Sequence, residues 1–297
     1  MEQNLIVFRP ASEIHLKTHF VKQFFLKKLL FNLKHSLKEN KIEFKLLNRF
    51  SGIIVCKTSN NKKAVPLMQK IFGIHSFSIS ESHSFSSLND LKKIFLGFAE
   101  KNLSKGDSFA LRISRNGKHG FSSHQAAVEC GQQIMDVIKE IKVNLSNPSK
   151  EIFADIINNK VFLYSEKIKG AKGLPVGVEG KIGLLMQGKQ EEIVAGYLML
   201  KRGCNIFPVI KEMNSKIKNN LDLLFSWNSF NEFKPINLSE LEKEKDFLSA
   251  IVLSETKESI ALNKIMELQD KTGFVVFSPL TFYPENHFNE ILSKVNK

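Results

Sequence analysis

Between Arg112 and Ser123 the chain places Arg112, Arg115, Lys118 and His119 around Gly117 and Gly120, followed by Ser122 and Ser123. Glycines in a tight turn let backbone N–H groups come close to an anion, and an arginine fork can grip one phosphate through two parallel bonds. Ser122 and Ser123 fall where a helix begins, so that unpaired N–H groups add to the same task. The chemistry suggested is phosphate recognition. Lys17 and Lys22, on the basic side of a helix predicted over 15–40, supply two further cations. No residue is nominated as catalytic. Cys56, Cys130 and Cys204 cannot all pair and form no CxxC or Cys/His spacing, which argues for a reducing cytoplasm and no structural metal.

The net charge of +13 over 297 residues is unevenly distributed. Residues 1–80 hold 14 basic and 4 acidic side chains, residues 81–170 hold 13 and 10, and residues 171–297 hold 16 of each. A basic front joined to a neutral rear fits a polyanion-binding module attached to something with another task, with nucleic acid the leading candidate. A solubilising surface, or a basic helix touching anionic lipid, would give the same count. The apolar runs are far shorter than the roughly 20 residues of a membrane span, and the start MEQNLIVFRP lacks a basic-then-apolar leader. Neither a spanning nor an exported protein is expected.

The elements that must position these residues are read from periodicity. A strand over 4–8, the helix 15–40 with Phe20, Phe24, Phe25, Leu29, Leu30 and Leu33 at helical spacing, strands over 44–48 and 52–57, a helix over 64–72 and a strand over 76–79 give the order βαββαβ, a ferredoxin-like arrangement. A second, separate α/β unit follows, with helices over 86–102 and 122–139, strands over 108–113 and 150–157, and a hairpin partner over 161–167 turning at Asn158-Asn159. Glycines and a proline crowd 170–183 as a domain boundary. Beyond it, apolar strands over 182–186, 205–210, 249–254 and 274–279 alternate with helices over 191–203 and 258–271. That pattern predicts a parallel sheet covered on both faces.

Arg112 to Gly131 (RISRNGKHGFSSHQAAVECG) resembles the signature of the THUMP domain, and Lys172 to Cys204, with KGLPVGVEGKIGLLMQG and VAGYLMLKRGC, resembles the junction and nucleotide loop of the tRNA 4-thiouridine sulfurtransferase family. SEIHLKTHFVKQFF near the start is similar to that family's first domain. The resemblance implies an N-terminal ferredoxin-like domain (1–80), a THUMP RNA-binding domain (81–170) and a PP-loop ATP pyrophosphatase-like domain (171–297) with a doubly wound parallel sheet. It also implies ATP-dependent thiolation of a tRNA uridine, with the first two domains holding the acceptor end. THUMP units are expected to read the shape of a stem and its single-stranded end. Phe121 either anchors the turn to the core or stacks on a base, and Lys22 either contacts RNA or lies on a solvated face.

The resemblance breaks at the loop. Competent members carry SGGxDS, whereas Gln187, Gly188, Lys189, Gln190, Glu191 and Glu192 fill those six places here. A carboxylate held about 4 Å from a phosphate costs on the order of 4 kcal/mol at an effective dielectric near 20. Lys189 could offset part of this, but the favoured reading makes Glu191 and Glu192 replacements for the lost anion at the helix N-terminus. No cysteine follows Cys204, which reads as a packed residue, although family members deliver sulfur from a later cysteine. The expectation is a tRNA-binding pseudoenzyme or accessory factor in tRNA modification, without a cofactor. One alternative is an active thiolation enzyme that binds ATP and takes sulfur from an external carrier. Another is a subunit that docks a catalytic protein through 171–297.

Overall fold

The computed structural model describes residues 2–50, 52–58, 60–227 and 235–296. The elements run β1 (Glu2–Pro10), α1 (Ser12–His15), α2 (His19–Glu39), β2 (Phe44–Phe50), β3 (Ile53–Thr58), α3 (Asn61–Gln69) and β4 (Ile74–Ser84). Next come α4 (Leu88–Asn102), β5 (Ser108–Asn116), α5 (Ser123–Val137), β6 (Lys142–Val143), β7 (Lys150–Ile157), β8 (Lys160–Tyr164) and β9 (Ile168–Lys169). The remainder is β10 (Lys181–Leu185), α6 (Glu191–Arg202), β11 (Asn205–Ile210), α7 (Ser215–Phe225), β12 (Ile236–Asn237), β13 (Ala250–Val252), α8 (Leu262–Thr272), β14 (Val276–Phe277) and α9 (Glu285–Val295). Contacts gather these into two compact units that interleave along the chain. The first comprises 1–9, 42–64 and 76–169, and the second 10–41, 65–75 and 170–297.

The first unit is built on a single sheet in the order β2-β3-β1-β4-β8-β7-β5-β6, with β9 also on β4. The ferredoxin-like strand order is present, but its strands are not separate from those that follow. The strand expected to end at Ile79 continues, and Glu81 to Ser84 pair antiparallel with Leu163 to Lys160 of β8. The extension escaped a hydrophobicity reading because its buried face is made of Ser76, Ser78, Ser80 and Ser82. Ser78 pairs with Ser80 at 3.0 Å and accepts from the Arg9 guanidinium at 3.2 Å, whereas the Ser76 hydroxyl is buried without a partner, so polar residues follow the two-residue period of a strand. Below β5, β7 and β8, Phe95, Phe98, Phe109, Cys130, Ile134, Ile152 and Leu163 form one apolar cluster with Phe121 packed at its edge.

Helix α4 starts with a reciprocal cap: Ser87 Oγ accepts the Asp90 N–H, and the Asp90 carboxylate accepts the N–H groups of Ser86 and Ser87, each at 3.0 Å. These donors, led by the Ser86 hydroxyl, hold the Asp90 carboxyl down at about 2. A depressed carboxyl stabilises the fold above its ordinary value of 3.8 and stops doing so as pH falls toward about 2. Asp90→Asn is therefore expected to flatten the acid limb of melting temperature against pH in that window. An unchanged limb in the variant would contradict the assignment.

In the second unit five parallel strands lie in the order β12-β11-β10-β13-β14. Gly183 of β10 sits opposite Phe207 of β11 and Ile251 of β13, and a Cβ there would meet the Ile251 side chain at 2.7 Å. Strand order reverses beside β10, so the loops after β10 and β13 flank the crevice where α/β sheets of this kind bind ligands. Helix α6 packs with α7 and α9, two helices the periodicity reading did not identify. The stretch expected to be helical from Glu258 begins only at Leu262, because Thr256 N–H bonds Ser259 Oγ at 2.9 Å and turns the chain first.

Helix α2 also belongs to this unit. The single helix expected from His15 is broken at 16–18, with Thr18 extended (φ −54°, ψ 159°) at the N-cap position of α2. Its buried face is Phe25, Leu26, Leu29, Leu33 and Leu37, together with Asn32, whose amide donates to Val176 O at 3.1 Å. Phe20 and Phe24, expected in the core, are exposed.

Candidate functional site

The turn after β5 is organised by His119. Its Nε2 stands 2.6 Å from Asn158 O, and its Nδ1 3.1 Å from the Arg115 guanidinium. A carbonyl can only accept, so Nε2 carries the proton and Nδ1 receives the Arg115 N–H. The imidazole lies stacked on Phe85 (centroids 6.0 Å apart) and against Phe121 (5.3 Å). Arg115 spends a second bond on Gly117 O at 3.2 Å. Gly117 is at φ +114°, and a Cβ there would collide with Asn158 Oδ1 at 2.8 Å, which is why the turn takes glycine. His119 and Arg115 thus hold the turn's shape, and Lys118 projects from it into solvent. Ser122 caps α5 through Gln125 N at 3.0 Å, leaving the N–H groups of Ser123 and His124 without helical acceptors.

Beside that helix start lies a groove of about 510 Å³ across β5, β7 and β8, lined by Arg112, Ser114, Ser123, His124, Phe153, Tyr164 and Lys167 among others. Arg112 is held by Glu151 Oε1 (2.7 Å) and Leu145 O (2.7 Å), which orients it and leaves part of its fork unspent. Phe153 stacks on Tyr164 with centroids 5.3 Å apart and planes 7° from parallel, and Lys167 stands 5.1 Å over the Phe153 ring. Behind them Arg9 forms an ion pair with the buried Asp155 and covers Tyr164 at 4.4 Å. Burial, then Asp155, pushes the Tyr164 phenol upward, so it remains neutral. A half-buried aromatic face with cations at its rim and helix N–H groups at one end suits a stacked base with its phosphate. Phe153, Lys167 and His124 were not foreseen. Lys167 at a hairpin end was the only sequence signal for them, and strand pairing is what collects the rest.

The predicted RNA-contacting residues do not all fall in one unit. Arg112, Arg115, Lys118, His119, Ser122 and Ser123 are in the first, Lys17 and Lys22 in the second. Lys17 lies in the break before α2, exposed, with its ammonium 5.8 Å from the Phe25 ring. Lys22 is half-buried in the first turn of α2.

The loop after β10 is closed on itself. The Glu192 carboxylate, 1% exposed, accepts the N–H groups of Gln187 (2.6 Å) and Gly188 (3.1 Å) and the Asn220 amide (3.2 Å). Asn220 also donates to Lys189 O at 2.7 Å. The donors a phosphate would need are therefore taken by this protein's own carboxylate, held at the start of α6 where the helix field favours an anion. Glu191 is turned away from these donors, toward a cleft of about 670 Å³ that it shares with Thr256, Glu258, Tyr283 and Phe288. Lys189 reaches across the crevice to Glu255 Oε1 at 3.1 Å, tying the β10 loop to the β13 loop. Cys204 is buried, and burial followed by Glu179 raises its thiol to about 11, which suits a packed residue and not a nucleophile. Among the described residues no group of three or more His, Cys, Asp or Glu could hold a metal ion.

The THUMP domain family model matches residues 85–166, and the ThiI ferredoxin-like domain model matches residues 6–78. A tRNA sulfurtransferase of Blochmanniella pennsylvanica is 30% identical over 250 residues, covering 80% of this chain and 51% of its own length. A probable tRNA sulfurtransferase of Methanosarcina mazei is 34% identical over 212 residues, covering 70% of this chain and 52% of its own. This chain belongs to the tRNA sulfurtransferase family. It spans about half the length of these relatives. Among solved structures, PH1313 of Pyrococcus horikoshii Ot3 superimposes with a TM-score of 0.85 at 23% identity, covering 99% of this chain and all of its own. A 4-thiouridine synthetase solved as an RNA complex with bound ATP gives 0.73 at 20% identity, covering 99% of this chain and 85% of its own. Both carry the same fold. The family's parallel-sheet C-terminal domain is thus present in this chain.

Proposed function

We propose that this tRNA sulfurtransferase homologue is a tRNA-binding THUMP protein of the cytoplasm that no longer performs ATP chemistry and acts as an accessory factor in tRNA modification. Its leading ferredoxin-like domain (1–80) and THUMP domain (81–170) hold the acceptor end, and 171–297 serves as scaffold. RNA binding is supported by the THUMP match, by the relatives' description as tRNA sulfurtransferases, and by the groove of Arg112, Ser123, Phe153 and Lys167. In it, Arg112, Lys118 and Lys167 take phosphates as positioning contacts, and Phe153 takes the face of an unpaired base.

Loss of ATP chemistry is carried by one observation: Glu192 consumes the loop N–H groups that would receive pyrophosphate. The Lys189–Glu255 pair adds little energy at its exposure, but it spans the crevice mouth and withdraws the cation that the enzymatic alternative requires.

A filter-binding titration with tRNA is expected to show a steep negative salt dependence, corresponding to about 5 to 8 released counterions. Weak, salt-insensitive binding would sink the RNA reading. ATP is expected to cause no thermal shift and no pyrophosphate release, with or without tRNA. An ATP-dependent shift that disappears in Lys189→Ala would establish the enzymatic alternative instead.

A further inference from the structure

The groove lies in the first unit. The second unit carries its own group of lysines, three of them within residues 171–297, whose charges sum to zero. Phe72, Tyr197 and Trp227 form a ring cluster with centroids 5.1 to 5.9 Å apart. From α9, Lys294 sets its ammonium 4.9 Å from the indole centre and donates to Tyr197 Oη at 2.9 Å. Lys70, following α3, stands 5.6 Å from the same indole and donates to Ser226 Oγ at 3.3 Å. Lys172, in the junction, and Lys201, in the last turn of α6, are the charged groups that act on Lys294. Among the described residues none of these four lysines has a carboxylate within ion-pair distance, although this unit holds as many acids as bases beyond residue 170.

Like charges gathered without counter-charges are a cost that a bound anion relieves. The junction carrying Lys172 lies against Lys201, whose carbonyl accepts Leu174 N–H at 2.9 Å, and burial, then Lys201 and Lys172, lowers the Lys294 ammonium from its ordinary value. The backbone of Lys172 is held in an unusual conformation. It sits at φ +61°, a conformation rarely given to a residue with a long side chain, and is fixed there by Lys172 N–H to Ile74 O (2.8 Å) and Gly73 N–H to Lys172 O (2.9 Å). Lys172 and Lys201 are exposed, and Lys70 and Lys294 are propped on aromatic faces, so the ammonium groups are presented outward on braced stems. Lysines offer point charges without a planar fork, which fits backbone phosphates and not base edges.

We propose that Lys70, Lys172, Lys201 and Lys294 form a second phosphate-contact patch, on the second unit, for the backbone of a structured RNA. This goes beyond the groove and shares with it only the reading that the chain binds tRNA. The test uses the full chain, a labelled tRNA transcript and salt from about 50 to 200 mM. Two variants are compared: K172Q/K201Q/K294Q, whose last substitution keeps an amide donor for the Tyr197 hydroxyl, and K118Q/K167Q in the first unit. The first variant is expected to lose about 2 to 3 from the salt slope and roughly 30- to 100-fold in affinity near 0.15 M salt, with no fall in melting temperature. In the unaltered chain, tRNA is expected to protect Lys172, Lys201 and Lys294 from acetylation.

If K118Q/K167Q weakens binding while the triple variant keeps parental affinity and slope, the patch is refuted and the groove stands. If the unaltered chain binds no tRNA, the tRNA reading falls and the patch falls with it. Protection of the lysines by an acidic polypeptide but not by tRNA would likewise overturn the assignment to RNA.

Discussion

Glu192→Ala is expected to destabilise the second unit by about 3–5 kcal/mol, among the largest effects of any single replacement in this chain. The carboxylate is buried and accepts three N–H groups, from Gln187, Gly188 and Asn220. Removing it strands those donors and frees Asn220 from one of its two anchors to the loop. For a domain of this size the shift in melting temperature is on the order of 10 °C. Differential scanning calorimetry measures it, and a variant melting within about 1 °C of the parent would contradict the assigned role. Anion rescue distinguishes a phosphate substitute from an ordinary packed acid. Inorganic phosphate should raise the melting point of Glu192→Ala more than that of the parent, because binding to the vacated donors stabilises by mass action. Equal shifts in both proteins would leave Glu192 as a structural acid alone.

Gly173→Ala is expected to cost about 3 kcal/mol or more. Gly173 is at φ +70°, and a Cβ on it would lie 2.3 Å from Lys201 O, a backbone atom that cannot swing aside. That carbonyl already accepts Leu174 N–H at 2.9 Å, and the N–H groups of Gly177, Val178 and Glu179 converge on Gly203 O at 2.7 to 3.1 Å. The junction is thereby stitched to the end of α6, so displacing it loosens several bonds at once. Gly97→Ala serves as the control. It lies inside α4 with nothing within 4 Å of its added Cβ, and should gain roughly 0.5–1 kcal/mol from helix propensity. Urea titration of the two variants should give opposite signs; equal midpoints would refute the steric argument.

Local chemistry explains what could be read from the linear chain. The sequence singles out Glu191 and Glu192 together as acids at the start of a helix, whereas only Glu192 takes the loop N–H groups and Glu191 faces another cleft. The parallel sheet was legible in its apolar strands. Three things were not legible, each for a physical reason. The break at Thr18 is a choice of backbone conformation inside a stretch whose periodicity suits one long helix, and it takes Phe20 and Phe24 out of the core. The continuation of β4 is written in serines, which carry no hydrophobic signal, and its partner lies some eighty residues away in β8. The lysines at 70, 172, 201 and 294 are dispersed across the sequence, and the piece 171–297 that holds three of them sums to zero charge. The turn residues Arg115 and His119 show the converse: their clustering was visible, but only coordinates reveal that much of their bonding capacity goes to each other.

The shared strand has one further consequence. β4 carries β1 along one edge and β9 and β8 along the other, so neither edge is left open to solvent. Cleaving the chain between residues 80 and 85 would sever the stretch that joins β8 to the rest, and each fragment would expose a naked row of amide groups. Such rows recruit strands from other molecules. Modules that look separable on paper would then emerge as sticky halves, and limited proteolysis in this stretch should yield precipitate in place of two soluble pieces.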